Sequence, residues 1–237
     1  MLFRSDRNPG APWWQIAFWD FLGKPACWLV STLLYHARWW GVQHVPRRGG
    51  VLLICNHQSY LDLPLIGIGL EHRHFHSMAA SWLFQHPIFR RLIATLNAFP
   101  VEQGKGDVRA VRRAIELLKR EQLVLIFPEG SRSRDGSVLE FETGLMLLIR
   151  RARPTVVCAG LDGPFEVWPR DRKRPRLTGR MGIAFDQPIE AETLLAMSPE
   201  DASRMLHDRV VAMREDVRRR HARAAGMSLD AAPFAQP

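Results

Sequence analysis

His57 and Asp62 stand five positions apart in Asn56-His57-Gln58-Ser59-Tyr60-Leu61-Asp62, a polar stretch between apolar ones. An imidazole titrates near neutrality and takes a proton from a hydroxyl when a carboxylate fixes its tautomer and stabilises the imidazolium. On a continuous helix this spacing puts the two side chains on different faces, so the chemistry needs a bend between them. Pro64, just past Asp62, favours a helix start and permits that bend. Taken alone, the pair also fits two solvated turn residues. A second polar turn, Phe127-Pro128-Glu129-Gly130-Ser131-Arg132-Ser133, combines a glycine, two hydroxyls and an arginine. Gly130 lets the backbone approach a ligand, main-chain N–H groups can point inward, and the Arg132 fork matches phosphate oxygens in pairs. The order is not that of a P-loop. Glu129 is suited to binding hydroxyls or to holding Arg132. Cys55 and Ser59 are the nearby nucleophile candidates, but Cys55 ends an apolar run and reads as inert core.

Both turns leave strands. Val51–Cys55 and Leu123–Phe127 are continuous apolar runs, the pattern of strands buried on both faces, and Thr155–Ala159 is a third. Between the first two, Asp107 is an N-cap for a helix whose apolar face is Val108, Val111, Ile115 and Leu118. A helix from about residue 143 to 153 precedes the third strand, and residues 182–186 form a last one. Pro199 to Arg223 is a helix candidate carrying seven arginines from Arg204 onward. Strands separated by helices predict an α/β fold, a central, mostly buried β-sheet flanked by helices. Ligands in such sheets sit beyond the carboxyl ends of the strands, where both polar turns belong.

The chain has 237 residues, of which 46% are hydrophobic and 24% charged. These values exclude wholesale disorder, a small disulfide scaffold and a polytopic membrane protein. Cys27, Cys55 and Cys158 form no CxxC pair, as suits a reducing compartment. No secretory signal is evident at the start, so the cytoplasm is the expected side. Thirty-three Lys and Arg against 24 Asp and Glu give +9, which calls for an anionic partner.

Six of the eight tryptophans, Trp13, Trp14, Trp19, Trp28, Trp39 and Trp40, crowd the N-terminus. The longest uncharged run there, Pro25 to Ala37, is shorter than the ~20 apolar residues a spanning helix needs. Indole rings favour the headgroup level of a bilayer, so residues 1–42 are expected to form a helical segment lying on a membrane. The alternative is a helix packed on the domain. Residues 43–225 form the catalytic domain, and 226–237 a disordered tail. The basic stretch Arg170 to Arg180 and the Arg-rich helix suit anionic lipid headgroups. A nucleic-acid partner is not expected, because the tryptophans are not interleaved with the cations. His72, His74 and His76 alternate without a carboxylate or cysteine at ligand spacing, and no metal is expected.

Asn56–Asp62 together with Phe127–Gly136, about 70 residues apart, resembles the lysophosphatidic acid and glycerol-phosphate acyltransferase family, loosely from Trp39 to Asp186. Both of that family's motifs, H-x4-D and FPEG-x-R, match at every defining position. The resemblance implies that His57 is the general base for an acceptor hydroxyl and that Asp62 orients it. Glu129, Gly130, Ser131 and Arg132 would line the acceptor site. The implied donor is acyl-coenzyme A or acyl carrier protein, with no other cofactor, at the cytoplasmic face of a membrane. Three departures stand out. Gln103 occupies the place of an arginine in the family, Ala80 lies where a lysine is common, and Val156–Gly160 lacks a closing proline. A doubly charged phosphate is costly to desolvate without paired cations, which leaves open an acceptor other than lysophosphatidic acid. A hydrolase that activates water with His57 and Asp62 is a further possibility.

Overall fold

A computed structural model describes residues 19–70, 73–85, 90, 93, 97–102, 107–142 and 144–226, and the side chains from residue 21 onward. Seven strands form one mixed sheet: β1 (Arg38–Trp40), β2 (Val51–Cys55), β3 (Phe75–Ala80), β4 (Ala98–Val101), β5 (Leu123–Ile126), β6 (Thr155–Asp162) and β7 (Gly182–Phe185). Their order is β1-β7-β6-β2-β5-β3-β4. Neighbours are parallel except β6 and β7, which run antiparallel.

The apolar runs become the middle of the sheet because only there are both faces covered. Every residue of β2 is buried, and alternate side chains enter two separate cores. Leu52 and Ile54 join Val124, Ile126, Val156 and Cys158 on one face. There they meet helices α3 (Val108–Lys119), α4 (Gly144–Ala152), α6 (Ala191–Leu195) and α7 (Pro199–Ala224), while α5 (Pro164–Val167) packs on the other face through Val167. Val51, Leu53 and Cys55 face the opposite way with Leu125, Val157 and Leu161, under Tyr35 of α1 (Lys24–Tyr35) and Leu65 and Ile66 of α2 (Asp62–Gly69). Each fully buried Leu, Ile or Val side chain contributes roughly 1.5–3 kcal/mol relative to exposure.

Asp107 caps α3 as its position predicts, accepting from the N–H groups of Arg109 and Ala110. Of the expected face, Leu118 is buried and Val111 and Ile115 pack partly buried against the core, and only Val108 departs from it. Ala110, Ala114, Leu117 and Leu118 are buried and Val108 is 68% exposed. The small alanines turn toward the sheet, and Val108 sits beyond it at the first helical position. Ser198 likewise caps α7 by accepting from Asp201 N–H. That helix crosses β6 at Gly160 so closely that a Cβ there would lie 2.1 Å from the Arg214 nitrogen. The expected basic face of α7 is partly turned inward. Arg214 and Arg218 reach buried Asp162 at 3.3 and 3.4 Å, and Arg209 reaches Asp186 at 2.8 Å.

The N-terminal tryptophans divide. Arg38–Trp40 is an edge strand, although it precedes residue 42. Trp39 donates to the Leu65 carbonyl at 2.8 Å, and Trp40 packs edge-on against His221, so both belong to the domain. On α1, by contrast, Trp28, Leu29, Val30, Leu33 and Leu34 are exposed. Among the described residues no helix is long and apolar enough to cross a membrane. Trp13 and Trp14, His72, and residues 227–237 lie outside the described residues. Of the alternating histidines, His76 is buried in β3.

Candidate active site

Because β2 and β5 are adjacent and parallel, with Ile54 opposite Ile126, the two polar turns leave the sheet at the same end. The chain bends between His57 and Asp62 as the chemistry requires, since Asp62 is the first residue of α2. His57 Nδ1 lies 2.7 Å from Asp62 Oδ2. That oxygen also accepts the N–H groups of Gln58 at 2.7 Å and Ser59 at 2.8 Å. A carboxylate in the first helical turn, held by main-chain donors, is favoured by the helix dipole and locked in direction. It therefore fixes the imidazole with Nδ1 protonated and Nε2 basic. The ring stacks on Phe127, with centroids 4.0 Å apart and planes 11° from parallel. His57 keeps a side-chain exposure of 22%, while Asp62 is fully buried.

The two turns are bonded to each other. Ser133 N–H donates to the His57 carbonyl at 2.8 Å, and Gln58 Nε2 donates to the Gly136 carbonyl at 2.8 Å. Glu129 accepts from His57 N–H through Oε1 at 2.7 Å and from Leu139 N–H through Oε2 at 2.9 Å. The sequence groups Glu129 with the acceptor-lining residues. Its two oxygens are instead taken by main-chain donors, so it braces the segment that carries His57. Burial pushes its carboxyl up to about 7, against the pull of those two N–H groups.

Gly130 has φ +67°, a left-handed conformation that favours glycine, and a side chain there would also have to displace the Glu142 carboxylate. Ser131 is half-buried on the same turn. Arg132 extends its guanidinium over the Tyr60 ring, 3.7 Å from the centroid. Ser133 and Ser137 bond Asp135, holding its carboxyl down at about 2, and this closes the far side of the turn.

The nucleophile candidates are otherwise engaged. Cys55 is buried, and desolvation drives its thiol well above the ordinary range. Ser59 Oγ donates to the Trp168 carbonyl at 2.7 Å and accepts from Leu61 N–H. A hydroxyl so placed serves to shape the turn.

A sequence model of one family, described as acyltransferase, matches residues 37–162. The chain belongs to the acyltransferase family. The matched span runs from the foot of β1 to the end of β6 and holds both turns, so the resemblance seen in the motifs is upheld. A Bacillus subtilis 1-acyl-sn-glycerol-3-phosphate acyltransferase is 25% identical over 147 residues, 62% of this chain and 70% of its own length. A chloroplastic enzyme of the same name from Arabidopsis thaliana is 25% identical over 169 residues, 70% of this chain but 47% of its own. The crystal structure of the 1-acyl-sn-glycerophosphate acyltransferase PlsC from Thermotoga maritima superposes with a TM-score of 0.67 at 25% identity, covering 83% of this chain and 77% of that one. The fold is thus that of an acyltransferase of this kind, a mixed sheet flanked by helices, and the family's members are O-acyltransferases.

Within this acyltransferase, Gln103 and Lys105 lie outside the described residues. Ala80 ends β3, half-buried opposite Val101. Gly160, in place of the family's closing proline region, is where α7 touches the strand. Sequence reasoning missed Asn56 as a tie, although it flanks His57. Its side chain bonds both the N–H and the carbonyl of Leu161, at 2.7 and 3.0 Å, fixing β2 to β6 just below the turn. Trp168 was missed as well, being 109 positions from Ser59 with no local signal.

Proposed function

We propose that the chain transfers an acyl group from a thioester of coenzyme A or acyl carrier protein to the free hydroxyl of a lysophospholipid such as 1-acyl-sn-glycerol-3-phosphate, in phospholipid biosynthesis. The observation that carries this reading is the 2.7 Å His57–Asp62 contact, on a turn bonded to the one that presents Arg132. His57 Nε2 accepts the proton of the acceptor hydroxyl as its oxygen attacks the thioester carbonyl, and Asp62 stabilises the imidazolium. Collapse of the tetrahedral intermediate expels the thiolate, which takes that proton back from the imidazolium. The names of the Bacillus and Arabidopsis relatives support the acceptor class.

The apolar side of α1 supports seating at the cytoplasmic face of a membrane. Leu29 and Leu33 of α1, and Phe21 and Leu22 in the turn just before it, are each at least half exposed. The exposed basic loop after Trp168 lies beside it, because Tyr35 donates to the Arg176 carbonyl and Gly179 N–H to the Leu34 carbonyl. Apolar insertion plus flanking cations is the combination that holds a protein to anionic lipid.

Gln103 and Ala80, which stand where the family uses cations, favour a second reading in which the acceptor is a zwitterionic or neutral lysolipid. The test of both is consumption of a long-chain acyl-coenzyme A with a panel of lysolipids and analysis of the lipid products, for the parent and for His57→Ala. Acceptor-dependent acylated lipid is expected, falling about 10²–10⁴-fold in the variant. Equal free fatty acid with and without acceptor would instead establish a hydrolase. Undiminished transfer by folded His57→Ala would remove the proposed base.

A further inference from the structure

Tyr60 is 45% exposed, and burial does not explain why an aromatic ring stands there. One face carries the guanidinium of Arg132 at 3.7 Å from the ring centroid, and the Trp168 ring sits against Tyr60 at 5.0 Å and 45°. Trp168 is itself fixed from two sides. Its carbonyl accepts from Ser59 Oγ at 2.7 Å, and its indole N–H donates to the Arg172 carbonyl at 2.9 Å. Ser59 N–H in turn donates to Asp62. One short main-chain segment therefore sets both the partner of His57 and the platform beneath Arg132.

Among the described residues no carboxylate lies within ion-pair distance of Arg132, and one terminal nitrogen of its guanidinium is enclosed without a hydrogen-bond partner. The contrast between a ring and a carboxylate matters here. A carboxylate would orient the guanidinium by consuming its charge and two of its N–H groups. A ring face orients it through the quadrupole and leaves the N–H edge and the full charge available.

We infer that Tyr60, braced by Trp168, is the positioning residue that presents Arg132 to the anionic headgroup of the acceptor, a role that rests on the reading of Arg132 as the acceptor's cation. The experiment is steady-state kinetics of the full chain with lysophosphatidic acid in mixed micelles and acyl-coenzyme A. The variants are Tyr60→Leu, Tyr60→Phe, Arg132→Leu and the Tyr60→Leu/Arg132→Leu double variant. Tyr60→Leu raises the acceptor KM about threefold to tenfold, with kcat and the thioester KM within about twofold of the parent. Tyr60→Phe, which keeps the ring, retains the parent values, and Tyr60→Leu adds nothing in the Arg132→Leu background. The inference falls if Tyr60→Leu acts as strongly without Arg132, if it moves both KM values and kcat together, or if it moves none of them. If Arg132→Leu itself leaves the acceptor KM unchanged, the reading of Arg132 fails and the inference with it, while acyl transfer stands on the His57 result.

Discussion

The turn after β2 and the far end of β6 each bury a carboxylate, and they hold it by different means. Asp62 is bound by two main-chain N–H groups and an imidazole at 2.7–2.8 Å. Asp162 is bound by the long side chains of Arg214 and Arg218 at 3.3 and 3.4 Å. Main-chain donors fix direction as well as charge, which a proton acceptor needs. Arginines reaching from a packed helix supply charge with looser geometry, which is enough to seal a helix onto a sheet. Even so, burial pushes the Asp162 carboxyl up to about 6, outweighing the pull of its arginines.

The largest expected effect separates these two roles. Asp62→Asn keeps a side chain of the same size but loses the carboxylate proposed to stabilise the imidazolium, and acyl transfer should fall about 10²–10⁴-fold. The same substitution at Asp162 should leave transfer nearly intact and lower stability by about 3 kcal/mol, because part-buried Arg214 loses its partner and Arg218 keeps only Glu215. Thioester consumption and urea denaturation of the two variants, side by side, check this. A stable Asp162→Asn with impaired transfer would reverse the assignment.

A smaller effect sharpens the comparison through pH. The unfolded Glu129 carboxyl ionises near 4.5 and the folded one at about 7, so between those values the folded state binds the extra proton. This group's contribution to stability therefore falls as pH rises from about 4.5 to about 7. Glu129→Gln cannot ionise and also loses one acceptor for a main-chain N–H. Its stability deficit relative to the parent should be larger at pH 5 than at pH 8 in urea titrations. A deficit that widens with pH would mean that the folded carboxyl is easier to ionise than the unfolded one.

Much of the architecture was legible because β2, β5 and β6 must be apolar on both faces, and a run such as Val51–Cys55 has no other comfortable place. β1, β3 and β4 were harder to see. Arg38–Trp40 has three residues and one partner strand, β3 buries His76 and Ser77 among its apolar residues, and β4 carries Pro100 on the sheet's edge. At the site, His57, Asp62 and the glycine–arginine turn announced themselves by residue type and spacing. The brace made by Glu129 and the tie between Ser59 and Trp168 did not, because each joins segments 72 or 109 positions apart. A carboxylate looks the same in sequence whether it meets a substrate or a main-chain N–H.

Gly160 carries a consequence for how this chain can drift in sequence. Where α7 crosses β6 the spacing is set by backbone against backbone. A methyl group at that one position would wedge the helix off the strand and withdraw Arg214 and Arg218 from Asp162 together. A purely steric change on the sheet would thus be felt as an electrostatic one at Asp162. The spacing of helix and strand and the pairing of Asp162 are therefore constrained to change in step.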